Sequence, residues 1–189
     1  MVDLWEELTT ERLLLRKIQF EDVNFIYKHF GDEEVCKYMV DNEPVTSIEE
    51  ANEIISWSHS DPTNPTNNRW LIILKESNEP IGTIGFHRWD RNNRTAEIGY
   101  DLSKANWKKG IMSEAMEIVL SFGFKKMGLN RIQAFVHIEN MASYRILKRH
   151  GFCAEGIVRD MYFYREKYHD HYAMSLLCRD YKRTIHIRE

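Results

Sequence analysis

Hydrophobic and polar positions along the first sixty residues alternate or recur at helical spacing. Alternation is typical of a strand, and a repeat of three to four residues is typical of an amphipathic helix. The pattern predicts one strand and two helices, at residues 12–18, 21–30 and 32–38. Ser47 and Glu50 have the spacing of a capping box, which predicts a third helix ending at Trp57 or Ser58. Residues 61–68 are predicted to form a surface loop and not a domain boundary.

From residue 70 onwards the pattern predicts three successive strands and then helices that alternate with strands. The predicted strands occupy residues 70–74, 81–89, 95–102, 131–138, 153–164 and 168–177. Helical spacing begins at Gly110 and ends at Gly128, and a second helix capped by Asn140 ends at Gly151. This order predicts a mixed α/β sheet with several antiparallel pairs. The length fits a single domain over residues 1–189.

The junction at residues 107–114 carries the clearest chemical signal. It joins the strand at 96–102 to a helix, and the first-turn N–H groups of a helix lack intrahelical partners and attract anions. Lys108 and Lys109 beside Gly110 add positive charge, so the expected ligand carries phosphates. The spacings G-x-x-x-x-G-K-[ST] and G-x-G-x-x-G do not occur here, which argues against nucleotide hydrolysis and NAD binding.

Composition indicates an ordinary globular protein. The chain has 189 residues, of which 43% are hydrophobic and 29% charged. Its apolar runs are shorter than the roughly 20 residues that span a bilayer. The acidic N-terminus lacks a signal-peptide core, so we expect a cytoplasmic protein that does not bind membranes. Cys36, Cys153 and Cys178 form no C-x-x-C pair and indicate neither a disulfide framework nor a zinc ribbon.

Charge is unevenly distributed behind a net value of −3. Residues 1–60 carry 14 acidic and 5 basic side chains, and the rest carry 15 and 21. The basic part suits a polyanionic cofactor and the acidic part a cationic partner, although two solvated faces explain the asymmetry equally well. The basic excess is too dilute to indicate direct binding of nucleic acid.

Five motifs in consistent order make the chain similar to the Gcn5-related N-acetyltransferases (GNAT). Within that superfamily it resembles the RimJ/RimL-like branch of ribosomal-protein N-terminal acetyltransferases. The motifs are TTERLLLR from Thr9 with Asp22, EIGY from Glu97, WKKGIMSEA from Trp107, NMASYRILKRHGF from Asn140, and EGIVR from Glu155 with YHD from Tyr168.

The resemblance implies a mixed, mostly antiparallel central sheet of about seven strands with helices on both faces. The family's fourth and fifth strands splay apart, and its fourth strand corresponds to residues 95–102. The pantetheine arm of acetyl-CoA would pair with the freed edge through backbone groups of Ile98, Tyr100 and Leu102. A bulge on this strand would aim an amide at the thioester carbonyl, and Gly99 would allow a close approach.

The resemblance also assigns the remaining contacts to acetyl-CoA. Main-chain N–H groups around the loop would hold the pyrophosphate, at Trp107, Lys108, Lys109, Gly110, Ile111, Met112 and Ser113. Asn140 would bond the pantetheine arm besides capping its helix, and Arg149 or Arg145 would meet the adenosine 3′-phosphate. Trp107 and Met112 depart from the usual loop residues, and Leu147 stands where many relatives carry a tyrosine acid.

The expected reaction is a direct attack of an amine on the acetyl thioester. An α-amine has a reference pKa of about 7.7–8.0, against about 10.4 for lysine, so it needs little help in losing its proton. Glu97 is the expected base, acting through water, and the alternative is a carboxylate paired with Arg91 or Arg94. Ser143, one turn from Asn140, is the expected acid for the leaving thiolate, or a helix serine beside the cofactor.

The acceptor is the open part of this interpretation. A protein N-terminal α-amine fits the resemblance best, a small cationic amine (polyamine, amino acid or aminoglycoside) is the alternative, and a non-catalytic acetyl-CoA sensor or interaction module is a different class. The acidic helices would face the acceptor, through Glu33, Glu34, Glu43, Glu49, Glu50 and Glu53. No metal is expected, because His169 and His171 lack a third ligand, and either a monomer or a homodimer is compatible with the sequence.

Overall fold

The computed structural model describes residues 4–39, 43–59 and 66–181. Eight strands form one sheet in the order β1-β2-β3-β4-β5-β6-β8-β7. Their bounds are β1 Leu8–Thr9, β2 Leu13–Lys17, β3 Asn68–Leu74, β4 Glu79–Asp90, β5 Thr95–Leu102, β6 Arg131–His137, β7 Cys153–Tyr164 and β8 Lys167–Leu177. Neighbouring strands pair antiparallel except β5 and β6, which pair in parallel.

Helices cover both faces of the sheet. They are α1 Val23–Phe30, α2 Glu33–Cys36, α3 Ile48–His59, α4 Ile111–Lys125 and α5 Met141–Arg149, with 3₁₀ turns at Phe20–Asp22 and Lys104–Asn106. One hydrophobic cluster joins α1 and α3 to the sheet, and another joins α4 and α5 to its opposite face. A buried sheet with helices on both sides needs strands that are apolar on both faces.

Strand β3 shows why the sequence folds into this layered arrangement. Trp70 and Ile72 belong to the cluster beneath α4, whereas Leu71 and Ile73 belong to the cluster beneath α1 and α3. Successive residues of a strand point to opposite faces, so this unbroken apolar run fills both cores. The run therefore fixes β3 as a central strand.

The expected mixed sheet with helices on both faces is confirmed, with one strand more than expected. The additional strand is β1, only two residues long and too short to show a period. Helix α2 is shorter than its predicted span of 32–38, and Asp32 caps it by accepting a hydrogen bond from the Glu34 N–H. The loop predicted at 61–68 lies mostly outside the described residues, and the single domain over 1–189 stays a prediction.

Strands β5 and β6 part soon after they meet. Their parallel pairing covers only Thr95–Glu97 opposite Arg131–Gln133. Beyond Glu97 the two strands diverge within the described part of the chain, which leaves Ile98 to Leu102 paired with β4 alone. This is the splay that the family resemblance implies. The family's fourth and fifth strands are β5 and β6 here, because the additional strand β1 precedes them.

A buried charged network fastens α1 to the diverging end of β5. Asp101 accepts hydrogen bonds from His29 Nε2 on α1 (2.6 Å) and from Arg69 Nη2 on β3 (2.5 Å). Thr83 on β4 donates to the same carboxylate through its backbone N–H and its hydroxyl (2.9 and 2.6 Å). Burial alone would raise the pKa of Asp101, but Arg69, His29 and Thr83 outweigh it and hold that pKa well below its usual range.

Replacing Asp101 with Asn tests how much this network stabilises the fold. At pH 7 we expect D101N to lower the free energy of unfolding by about 3–5 kcal/mol, because one neutral amide oxygen replaces the charged carboxylate that Arg69 and His29 share. The folded-state pKa of Asp101 is depressed, so its stabilisation is present above the unfolded value of about 3.9 and is lost as pH falls through the folded pKa.

The gap between wild type and D101N in urea unfolding should therefore narrow as pH falls below about 4. The control is D160N, which changes an exposed aspartate on β7 and should move stability by less than about 0.5 kcal/mol. A D101N protein as stable as wild type at pH 7 would contradict the assignment.

Candidate active site

A first cavity of about 780 Å³ opens between the free edge of β5, the loop before α4, and α5. It collects nearly all the residues expected to hold acetyl-CoA: Ile98, Tyr100, Leu102, Trp107, Lys108, Gly110, Ile111, Met112, Ser113, Asn140, Ser143 and Arg149, together with Arg145. Lys109 does not line it. Residues from three separate stretches of sequence thus meet along one wall.

The loop before α4 enters the helix through two residues with left-handed backbones. Lys108 and Gly110 both have left-handed backbones, with φ of 60° and 76°, and Gly110 occupies the N-cap position. The side chains of Ile111 and Met112 are buried in the core, which anchors the first turn. The bulky side chain of Met112 therefore points into the protein, away from the loop surface where its backbone N–H would face a phosphate.

Glu114 ties this loop to the turn between β1 and β2. Its carboxylate accepts hydrogen bonds from the Thr10 hydroxyl (2.5 Å) and the Arg12 backbone N–H (3.0 Å), and it pairs with the Arg12 guanidinium at 2.6 Å. Arg12 Nη1 also donates to the carbonyl of Lys109 at 3.0 Å. Arg12 thus holds the backbone of Lys109, the one predicted loop residue that does not line the cavity.

The side chains of two predicted loop residues form hydrogen bonds within the protein. Trp107 donates its indole N–H to the carbonyl of Leu102 at 2.6 Å, so this carbonyl already has one partner where the pantetheine arm was expected. The Ser113 hydroxyl lies 2.8 Å from His150 Nε2. Both contacts hold the loop against its neighbours, β5 and the end of α5.

Helix α5 brings the predicted acid next to the open strand. Asn140 caps the helix by accepting from the Ser143 N–H at 3.1 Å, and Ser143 Oγ lies 2.7 Å from the Tyr100 hydroxyl. Burial raises the pKa of Tyr100 above its ordinary value, so this tyrosine keeps its proton. Leu147 is fully buried in the core, and Tyr144 packs on Tyr172 and lines neither of the cavities described here.

A second cavity of about 950 Å³ lies on the α1–α3 side of the same strand edge. Six residues line both cavities and mark their junction: Tyr38, Met39, Ile98, Gly99, Tyr100 and Phe135. The junction surrounds the part of β5 that has lost β6 as a neighbour. Two ligands that enter from opposite sides can therefore meet at this edge.

Glu97 lines the second cavity, but its partners differ from those considered. It accepts from His87 Nε2 at 2.9 Å and Arg88 Nη1 at 3.1 Å, not from Arg91 or Arg94. Burial alone would raise the pKa of Glu97, but these two partners outweigh it and lower that pKa. The carboxylate is charged at neutral pH and nine-tenths enclosed.

The bulge expected on the cofactor strand lies on its neighbour. Strand β5 pairs with β4 without interruption from Leu102 to Glu97, and the extra residue lies on β4 between His87 and Asp90. Arg88 has a left-handed backbone there, with φ of 52°. A bulge re-aims side chains, which is how Arg88 reaches Glu97 and why sequence spacing could not identify the pair.

The acidic residues expected to face the acceptor divide between the two cavities. Glu43, Glu50 and Glu53 line the second cavity, whereas Glu34 lines the first and pairs with Lys104 at 3.3 Å. Glu33 and Glu49 line neither. Glu50 is partly committed to the start of α3, since it accepts from the Thr46 backbone N–H at 2.8 Å.

Sequence reasoning missed most of the histidines and aromatic residues around the second cavity. They include His87, Tyr162 and His171, which come from three different strands. In the part of the chain that the structure describes, no group of histidine, cysteine and acidic side chains could hold a metal ion. All three cysteines are free thiols. Among the described helices, none is long and apolar enough to span a membrane.

Family comparison agrees with this geometry. The model of the acetyltransferase (GNAT) domain matches residues 12–153. The chain belongs to the GNAT acetyltransferase family. It is 41% identical to the uncharacterized N-acetyltransferase p20 of Bacillus licheniformis over 176 residues, which are 93% of this chain and 98% of that protein. Acetyl-CoA is accordingly the acetyl donor of this N-acetyltransferase.

One further relative and one solved structure are acetyltransferases with named substrates. The ribosomal-protein-serine acetyltransferase of Escherichia coli is 32% identical over 102 residues, 54% of this GNAT chain and 56% of that protein. The structure of spermidine N-acetyltransferase from Vibrio cholerae, in complex with CoA and spermine, has a TM-score of 0.81 at 22% identity. It covers 92% of this chain and 99% of that one, and at this identity it shows the fold alone.

Replacing Glu114 with Gln tests whether the β1–β2 turn holds the acetyl-CoA loop in place. We expect E114Q to raise the dissociation constant for CoA roughly tenfold, because a hydrogen bond to a charged group contributes about 1.5–3 kcal/mol. Isothermal titration calorimetry measures it. The control E117Q changes a glutamate about one turn further along the same helix, and it should bind CoA as wild type does. Equal affinity of E114Q and wild type would contradict this role.

Proposed function

We propose that this GNAT protein acetylates the α-amine at the N-terminus of a basic protein. The observation that carries the proposal is the junction of two cavities at the open edge of β5. The first cavity offers the loop, strand edge and helix expected for acetyl-CoA. The second offers an independent entrance for an acceptor large enough to be a chain terminus.

The α-amine is favoured by the chemistry available at the junction. Its reference pKa of about 7.7–8.0 leaves a useful neutral fraction at physiological pH, whereas a lysine amine near 10.4 needs a stronger base. The carboxylate of Glu97, next to the junction in the second cavity, has a lowered pKa and is a weak base. Similarity to a ribosomal-protein-serine acetyltransferase supports the same acceptor class.

A small cationic amine is the second candidate. Glu43 and Glu53 line the second cavity with exposed carboxylates, which suit an ammonium group as well as a basic peptide. The fold is shared with the spermidine N-acetyltransferase of Vibrio cholerae, whose structure holds CoA and spermine. A polyamine or an aminoglycoside would enter by the same route. The acceptor panel below separates it from a protein N-terminus.

Glu97 is proposed to draw the proton from the amine through a water molecule. Because His87 and Arg88 bond the carboxylate of Glu97 and fix its position, it can orient a water molecule. As the C–N bond forms, the amine proton passes through the water to the carboxylate and on to solvent. General-base assistance of this kind contributes about 10²–10⁴-fold to a rate.

Ser143 is proposed to donate a proton to the departing thiolate. When the C–S bond breaks, its electron pair leaves on sulfur, and a hydroxyl at Ser143 can supply the proton. Tyr100 lies 2.7 Å from Ser143 Oγ and keeps its own proton, so its hydroxyl orients Ser143, and solvent restores the proton that the serine gives up. A thiolate with a Cys-like pKa near 8.5 is easily stabilised, so this contribution is smaller than that of the base.

A panel of amines tests the proposed acceptor. We expect release of CoA thiol to be fastest, as kcat/KM, with a basic peptide that has a free α-amine. The same peptide with its α-amine blocked, and an acidic peptide with a free α-amine, should react at least tenfold more slowly. Faster turnover of spermidine or an aminoglycoside would establish the small-amine candidate instead. Binding of acetyl-CoA without turnover on any amine would identify a sensor.

Two glutamates on α3 form a matched pair that tests whether the acceptor is positively charged. Glu53 lines the second cavity and Glu49 does not, although both are exposed on the same helix. E53Q should raise the KM for the basic peptide several-fold and leave kcat nearly unchanged, whereas E49Q should behave as wild type. Equal KM values for E53Q and wild type would remove the argument for a cationic acceptor.

Replacing Glu97 tests the proposed base. We expect E97Q to lower kcat by about 100-fold, because the amide cannot take up a proton. The affinity for CoA should be unchanged, since Glu97 lies outside the first cavity. E97D keeps the charge and should restore part of the rate. A wild-type kcat for E97Q would show that a water network suffices without this carboxylate.

A further inference from the structure

Three buried histidines lie on one face of neighbouring strands, and of these His171 lines the second cavity and His137 the first. His137 on β6 is paired in register with His171 on β8, and His169 lies two residues before His171 on the same face. All three are more than nine-tenths buried. Their rings are in contact, with centroids 5.1 Å apart for His137 and His169 and 5.5 Å apart for His137 and His171.

Hydrogen bonds fix the tautomers of His137 and His169. His137 Nδ1 accepts from the Glu139 backbone N–H at 3.1 Å, so its proton is on Nε2. That Nε2–H donates to His169 Nδ1 at 3.0 Å, and His169 Nε2–H donates to the carbonyl of Tyr164 at 3.1 Å. Both rings are neutral in this arrangement, and each of their four nitrogens has a partner.

His171 is different, because one of its nitrogens is left over. Its Nδ1 lies 3.2 Å from the carbonyl of His169 and must donate to it, since a carbonyl only accepts. The proton is therefore on Nδ1, and Nε2 carries a lone pair. Among the described residues, this buried Nε2 has no hydrogen-bond partner. A buried polar atom without a partner costs about 1–3 kcal/mol, so it calls for a specific explanation.

The surroundings of His171 place this residue at the acceptor side of the junction. His171 lines the second cavity together with Tyr162 and Glu97. The ring of Tyr162 meets His171 edge-on at 5.0 Å, and Tyr162 also bonds Arg88, the partner of Glu97. Burial and the neighbouring rings of His137 and His169 lower the pKa of His171, which keeps it neutral.

We infer that His171 Nε2 is a binding point for the acceptor amine, accepting a hydrogen bond from its N–H. The inference rests on the proposed acetyl transfer and adds a specificity-determining residue to it. A lone pair selects ligands that donate, so ammonium and amine groups bind and carboxylates and carbonyls do not. The contact orients the amine at the β5 edge, while Glu97 takes part in removing its proton.

The first test observes the nitrogen directly. In ¹⁵N-histidine-labelled protein with CoA bound, the unprotonated Nε2 of His171 gives a signal that is identified by its loss in H171N. Adding ethylammonium chloride, the smallest probe that carries an amine, should shift this signal. Sodium acetate should not. If ethylammonium leaves this signal unchanged, the inference is overturned. This includes the case in which bound water has already shifted the signal before ethylammonium is added.

The second test separates binding from structure. Asn at position 171 keeps a donor for the carbonyl of His169 and lacks the distal lone pair, so H171N should raise the KM for the best acceptor of the panel about tenfold. Affinity for CoA should stay unchanged. The control H169Q alters a buried histidine on the same strand face that has no spare nitrogen. It should lower stability and leave the acceptor KM within twofold of wild type.

The outcomes distinguish this inference from the proposed function. A wild-type protein that acetylates the panel, with H171N matching it in acceptor KM, would refute the role of His171 and leave acetyl transfer intact. A wild-type protein that acetylates no amine would refute the proposed function itself. If H169Q and H171N raise the acceptor KM equally, the effect is structural, and the inference fails.

Discussion

The short parallel contact between β5 and β6 is the constraint on which the site depends. A parallel pair needs a crossover connection, which places α4 and its N-terminal loop beside the end of β5. Because pairing stops after three residues, the remainder of β5 keeps one edge without a strand. Both cavities open onto that edge. Continued pairing would satisfy the backbone of Ile98 to Leu102 internally and leave no place where two substrates could meet.

The residues that mark the family in sequence are held together by polar bonds between distant segments. Arg16 forms a two-point ion pair with Asp22 at 2.7–2.8 Å, and Arg12 and Thr10 bind Glu114 about a hundred residues away. The opening motif thus has a structural task, because it positions the start of α1 and the loop before α4. Motifs that look independent along the chain act as two halves of one contact.

Much of the fold could be predicted from local pattern, and the side-chain partners could not. The run over β3, the alternation over β5 and the glycines that end α4 and α5 have signals within a few residues of the element they define. The partners of Glu97 depend on an extra residue in the neighbouring strand, and the contact of Tyr100 with Ser143 depends on how far two strands diverge. Such distances are set by packing over the whole sheet, so no spacing along the chain encodes them.

The charged network at Asp101 spans the wall between the two cavities. Asp101 lines the first cavity, and Arg69, its partner, lines the second. A ligand that changes the electrostatic field on one side therefore acts on a group that faces the other. Thermodynamic linkage makes such an influence reciprocal: whatever factor a bound donor imposes on the affinity for the acceptor, the acceptor imposes on the donor. The coupling between the two binding affinities is then a property of this ion pair as well as of the cavities.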